Sequence, residues 1–344
     1  GYTLILSASS VAIGVGLVNL MRPGDSLTAE QKSQLEARYR SSAKEKQDKA
    51  AESKPLKDTL LDLLPENPLQ EMVGAIDGSS KGNGMLAVMF FALVFGLGCS
   101  LNPEKCATLV KGLEGLYAIS MTVIGWAMFL APLGAACLVF SLTARLGLDI
   151  VFTLMKFVVT TLLGLGIHLL IVYPVVIAIA GGMNPLKFFR NVSEAMFVAF
   201  GTSSSSATLP TAVRVAHDNL KLPPRIANFV LTVGATGNQN GTALYEGVVV
   251  LFLAQVFGVE LTVGQQVQVV LMSVLAGIGT AGIPGGSLPL IAALCQSVGV
   301  PGDGIGIILG VDRLLDMCRT VLNVTGDLAV ATCVAHSEPA EAPQ

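Results

Sequence analysis

Four stretches of this chain are too apolar and too long for the single core of a water-soluble domain. Tyr2–Met21 has no charged side chain, and about 20 such residues suffice to cross the hydrocarbon of a bilayer as one helix. Further stretches run at 84–99, 116–143 and 150–181, with Lys156 their only charge, and are broken by Asn102-Pro103-Glu104-Lys105 and around Arg145. The first of these is barely long enough to cross. Backbone polar groups in lipid need partners within their own element, so these stretches fold as helices and the protein is an all-α integral membrane protein. The whole composition agrees: 13% of residues are charged and mean hydropathy is +0.67, where a soluble domain carries roughly a quarter charged residues.

The same inventory excludes several functions. A net charge of −3 made of sparse, mixed signs leaves no basic stripe for nucleic acid. Six scattered cysteines suggest neither a zinc site nor a disulfide framework. Residues 25–82 are polar and read as an aqueous loop, with a solvated helix possible at 30–54. Gly1 opens directly into an apolar run, which suggests that upstream sequence is missing.

Beyond Gly182 the texture changes. Gly201-Thr202, Ser203–Ser206 and Leu209-Pro210 interrupt one apolar region, and Gly279-Thr280, Pro284–Ser287 and Leu288-Pro289 interrupt another. Each is followed by a polar break within a helix, Asn238–Thr242 and Asn323–Asp327. Irregular backbone at membrane depth is tolerated where it lines a protein cavity, and paired interruptions in two halves point to a midplane substrate site. The competing reading is chance, because Gly, Ser and Thr are common in membrane helices.

The final apolar segment carries Asp312, Asp316, Arg319, Asn323 and Asp327 at steps of four, three, four and four. At 100° per residue they stay within roughly 80° of one helix face, and so many ionisable groups cannot face lipid. A guanidinium binds a carboxylate through two parallel hydrogen bonds, so Arg319 suits an anionic solute and Asp316 the ammonium of an amino acid. An internal Asp316–Arg319 salt bridge is the alternative. The serine tip could hold a carboxylate through its N–H groups and hydroxyls, and the glycines of the second tip could expose carbonyls for a monovalent cation or let a gate flex. Freed carbonyls and side-chain oxygens around Asn238, Asn240 and Thr242, completed by Asp327, would make a sodium site. Glu246 is a titratable acid in an apolar helix: a proton-carrier candidate, or a carboxyl near the cavity with no coupling role. His168 and His217 sit in no nucleophile motif, so the chain reads as no enzyme.

Ser203–Ser206, Asn-Gln-Asn-Gly-Thr-Ala-Leu-Tyr-Glu at 238–246, Gly-Thr-Ala-Gly-Ile-Pro-Gly at 279–285 and the segment Asp316–Asp327 together resemble the dicarboxylate/amino acid:cation symporter family, and the resemblance covers nearly the whole chain. It implies the glutamate-transporter fold: inverted repeats, re-entrant helical hairpins at about 183–216 and 262–298, a broken transmembrane helix between them, and a homotrimer in which a transport part slides against a scaffold. Residues 1–145 then read as scaffold-type helices, 146–336 as the transport domain and 337–344 as a polar tail. The family begins with two further membrane helices, so the scaffold here looks incomplete. Carried over, the resemblance implies a substrate site of Ser204, Ser205, Thr242, Gly282, Asp316, Arg319, Thr320 and Asn323. It implies one sodium site at Gly234, Asn238, Asn323 and Asp327, and a second from carbonyls near Thr236, Gly277, Ile278 and Thr280.

Departures qualify this picture. Asn240 and Leu6 stand where the family usually has Asp and Thr, which predicts a weak or absent third sodium site. Gln239 replaces a methionine, and Ser203 and Met317 stand at the two places where members carry an extra arginine. Glu246 matches the proton carrier of proton-coupled relatives. The expected function is symport of glutamate, aspartate or a C4-dicarboxylate in the cell membrane, driven by sodium or proton gradients without an organic cofactor. The alternatives are a neutral amino acid exchanger and a non-transporting membrane subunit.

Overall fold

The structure is a computed structural model that describes residues 1–28, 30–35, 67, 70, 85–280 and 282–338. Most of the polar loop expected at 25–82 and most of the 337–344 tail lie outside the described residues. Every regular element among those described is helical. Two helical stretches there are long and apolar enough to cross a bilayer, Tyr2–Ser26 and Asp149–Ile179, with mean hydropathies of 2.0 and 2.5.

Helix α1 (Tyr2–Met21) ends at Arg22, whose φ of 43° is left-handed, and turns through a short 3-10 segment, Pro23–Ser26. After the undescribed stretch, α2 (Met85–Leu101) and α3 (Pro103–Leu146) are separated by Asn102 alone. The apolar run expected at 116–143 is thus the middle of a longer helix. Its large apolar side chains stand free, Phe129 at 85% and Phe140 at 74% exposed, as on a helix that faces lipid. α4 (Asp149–Ile167) continues through a π turn, His168–Val172, into α5 (Tyr173–Ile179). Pro174 has no N–H to bond the carbonyl four residues back, and the widened turn absorbs that missing bond.

Two helix pairs follow, each bent back at a non-helical tip. α6 (Pro185–Thr202) is capped by the Asn184 side chain, and α7 (Ser205–Asp218) by that of Ser204. α10 (Val263–Gly279) starts in a Thr262–Gln265 capping box and pairs with α11 (Leu288–Ser297). Between the pairs lies a helix broken at Asn238-Gln239, α8 (Pro224–Gly237) and α9 (Asn240–Val256). A 3-10 turn, Gly302–Ile307, leads into the last helix, α12 (Leu309–Ser337).

α9 is the central post: every residue from Asn240 to Ala254 is buried. α1, α4, α10, α11 and α12 surround it, and Phe157 of α4 stacks on Phe252 at 4.5 Å. The approach of α1 depends on glycine. A Cβ on Gly14 would lie 2.9 Å from Val248, and one on Gly24 would lie 2.6 Å from the Gln255 Cβ. Thus α1, read from sequence with the scaffold, packs against the helix that supports the polar breaks.

Candidate functional site

Both tips and the break in α8–α9 converge on the polar face of α12. A small cavity there is lined by Ser203 and Ser205 of the first tip, Gln239 and Thr242 of the break, and Asp316, Thr320 and Asn323 of α12. Thr280, Gly282, Ile283, Gly286 and Ser287 of the second tip close it. Six of the expected substrate residues, Ser205, Thr242, Gly282, Asp316, Thr320 and Asn323, therefore meet at one place.

The other two sit differently. Ser204 caps α7, accepting from the Ala207 N–H at 3.1 Å, and its hydroxyl donates to the Gly282 carbonyl at 2.7 Å. With the Ser206 N–H also donating to that carbonyl at 3.2 Å, Ser204 latches one tip to the other. Arg319, only 1% exposed, lies behind the cavity wall. It donates to Asp316 at 2.8 Å, Asp312 at 3.3 Å and Ser287 at 3.2 Å, and lies 3.9 Å over the Tyr245 ring. The internal salt bridge, the alternative reading of the stripe, is formed, and of its members Asp316 alone lines the pocket. Asp312 was legible two turns before Arg319 on the same face. Tyr245 gave no signal, because its approach depends on how α9 and α12 are set against each other.

The second tip is tied to α12 through the same groups. The Gly285 N–H donates to Asp316 at 3.2 Å, and Ser287 accepts from Arg319. Gly282 has no room for a side chain: a Cβ would lie 2.5 Å from the Ala235 carbonyl and 3.0 Å from Ser205. Gly282→Ala is expected to part the tips, and cysteines placed at the tips should then react faster with a water-soluble maleimide than in the parent. The first tip carries its own strain, since Ser203 adopts φ 51°, a region that favours glycine.

Asn323 organises the break. Its Oδ1 accepts from the Gly241 N–H at 2.7 Å and from that of Thr242 at 3.4 Å, so it satisfies the free N-terminus of α9. Its amide donates to Gln239 at 2.5 Å and Thr242 at 3.1 Å. It is not joined to Asp327.

Of the first expected sodium set, Gly234, Asn238 and Asp327 do come together. Asp327 accepts from the Asn238 amide at 2.9 Å, and a Cβ on Gly234 would lie 2.5 Å from its Oδ1. Among the described residues the buried Asn238 Oδ1 has no hydrogen-bond partner, and no ion pair includes Asp327. A buried carboxylate beside an unused carbonyl oxygen is a donor set for a hard cation.

The second set lies where α8 and α10 end. A Cβ on Gly237 would fall 3.9 Å from the Ile278 carbonyl. Helix C-termini leave carbonyls unbonded and negative, so Thr236, Gly277, Ile278 and Thr280 sit in a region suited to a cation. Asn240, at the expected weak third site, is already satisfied. It accepts from Ser7 at 2.6 Å and donates to Tyr173 at 3.1 Å, whose hydroxyl donates to the Leu322 carbonyl at 3.0 Å. Glu246 is fully buried, and neither of its carboxyl oxygens has a hydrogen-bond partner among the described residues.

Comparison with known proteins matches the profile of the sodium:dicarboxylate symporter family to residues 1–337. The chain is 31% identical over 339 residues to the proton/sodium-glutamate symport protein of Bacillus subtilis, covering 98% of this chain and 75% of that one. It is 32% identical to an excitatory amino acid transporter of Caenorhabditis elegans, covering 99% of this chain and 73% of the relative. With excitatory amino acid transporter 2 of Mus musculus it shares 38% over 262 residues, 76% of this chain and 46% of the other.

Proposed function

Since this chain belongs to the sodium:dicarboxylate symporter family, we propose that it carries out cation-coupled symport of an acidic amino acid, glutamate or aspartate, or of a C4-dicarboxylate, across the cell membrane by alternating access. The observation that carries this reading is the cavity between the two tips, walled by Asp316 and backed by a buried arginine.

In the state described, Asp312 and Asp316 neutralise Arg319. An incoming side-chain carboxylate takes the place of Asp312 on the guanidinium, and the substrate ammonium faces Asp316. Because the second tip is fastened through Ser287 and Asp316, recognition and closure use the same groups. Sodium is carried at the Asp327–Asn238 set and at the α8–α10 carbonyl ends. The neutral Ser7–Asn240–Tyr173 network supports the absence of a third sodium ion. α1 moves with the substrate-binding body, because Gly14, and Gly24 in the turn that follows it, are fitted to α9. The two tip pairs are re-entrant hairpins, and the exposed apolar faces of α2 and α3 meet lipid and the neighbouring subunits of a trimer.

A second reading has one observation in its favour. With Arg319 held by two carboxylates, a neutral zwitterion fits without displacing anything, as in an exchanger of neutral amino acids. Counterflow in liposomes with labelled aspartate against labelled serine separates the two: aspartate is expected to exchange, and exchange of serine alone would overturn the acidic assignment.

Glu246 is the proton carrier in this proposal. Glu246→Gln is expected to leave uptake insensitive to an imposed proton gradient while the sodium response persists. A mutant with the parental pH profile removes Glu246 from the mechanism.

A further inference from the structure

Gln239 lines the cavity, yet the transport reading gives it no part. It is 2% exposed and stands in the non-helical step between α8 and α9, with φ −91° and ψ 61°. Its side-chain N–H donates to the Ala235 carbonyl at 2.7 Å, and its side-chain oxygen accepts from the Asn323 amide at 2.5 Å. A backbone carbonyl only accepts and an amide nitrogen only donates, so Gln239 has one orientation here and both its ends are engaged. Ala235 belongs to the last turn of α8, and its carbonyl lies 2.5 Å from where a Cβ on Gly282 would stand. Gln239 therefore ties α12 to the end of α8 that abuts the second tip.

Asn323 has no hydrogen-bonding capacity left in this arrangement. Its Oδ1 accepts from the Gly241 and Thr242 N–H groups, and its two amide hydrogens go to the Gln239 oxygen and, at 3.1 Å, to the Thr242 hydroxyl. A ligand carboxylate can reach an Asn323 hydrogen only by displacing one of those two acceptors. Thr242 need not leave, because a hydroxyl can accept from Asn323 and donate to the ligand at once. The Gln239 oxygen is an acceptor alone, as a carboxylate is, and the two cannot share one hydrogen of Asn323.

We propose that Gln239 is a positioning residue that holds Asn323 closed in the empty site and must release it before the main carboxylate of an acidic amino acid binds there, so that Gln239 sets how tightly the site holds its substrate. The inference rests on the transport reading, in which the side-chain carboxylate meets Arg319 and the ammonium meets Asp316, leaving the main carboxylate for Asn323. An ionised acceptor makes the stronger hydrogen bond, so the ligand wins the exchange, and its net gain is smaller by the bond that Gln239 gives up.

The test compares the full chain with Gln239→Met, which keeps an unbranched side chain of similar length and removes the amide. Titration in detergent with sodium present uses two ligands: aspartate, and β-alanine, which is aspartate without its main carboxylate. Aspartate is expected to bind about fivefold more tightly to the variant, the contribution of one net neutral hydrogen bond. β-Alanine should compete as it does in the parent, and the ligand-free variant should melt at a lower temperature because the Ala235 and Asn323 bonds are gone. A purely structural role for Gln239 would weaken both ligands. Aspartate affinity that is unchanged or lower in the folded variant would leave the carboxylate to other donors, such as the Ser203 hydroxyl, and overturn the inference; a tightening that β-alanine shares would overturn it as well. Should the methionine variant not fold, Gln239→Leu carries the same test with the same expected result. A parent that binds no aspartate defeats the transport reading and this inference with it, whereas a parent that binds aspartate beside variants that bind it no better defeats this inference alone.

Discussion

Replacing Arg319 by alanine is expected to weaken aspartate binding by about a hundredfold or more, since each charge-assisted hydrogen bond contributes about 1.5–3 kcal/mol and the guanidinium offers two in parallel. The same change also destabilises the protein. It strands Asp312 and Asp316, which now share one buried cation, and breaking a buried ion pair from one side costs about 3–5 kcal/mol. The two effects separate in the double variant Arg319→Ala with Asp312→Asn, which should regain part of the lost thermal stability and none of the aspartate affinity. Asp312→Asn alone weakens the competing hold on the Arg319 Nη2, which keeps its bond to Asp316, and should tighten aspartate binding. Isothermal titration in detergent, beside thermal unfolding without substrate, measures all three. An Arg319→Ala protein that binds aspartate as the parent does refutes the site.

The second large effect concerns Asp327. Its carboxylate is 3% exposed, with one amide as its hydrogen-bond partner and no cationic side chain paired with it among the described residues. An uncompensated buried charge is costly, and a bound sodium ion would supply the compensation. Asp327→Asn removes the charge and keeps the shape, so the sodium-free protein should become as stable as the parent or more so. Sodium-dependent stabilisation, which in the parent grows as the logarithm of sodium concentration, should shrink, and sodium-driven uptake should stop. A mutant whose melting temperature rises with sodium as steeply as the parent's would remove Asp327 from the cation path.

What the sequence made legible was whatever is written locally. The break at Asn238-Gln239, the two tips and the stripe on α12 are each announced by residues that disagree with an apolar helix, and each lies where expected. Long-range choices were not legible. Nothing near Gly14 or Gly24 says that their partner is α9. The stripe placed Arg319 toward a polar interior, yet whether it would face the cavity or turn to Asp312 depends on Ser287 and Tyr245, which reach it from other elements. The serine tip was legible as a unit. The division within it, Ser204 for the latch and Ser203 with Ser205 for the wall, required knowing where Gly282 would lie.

A helix wrapped on every side, as α9 is from Asn240 to Ala254, has no side from which an error can be relieved. In a saturation library, ordinary helices show tolerated positions recurring every three or four residues, where they meet solvent or lipid. α9 should instead read as one unbroken block of intolerance. A stretch with that signature marks the axis about which the rest of the molecule was assembled, even to an observer who holds no coordinates.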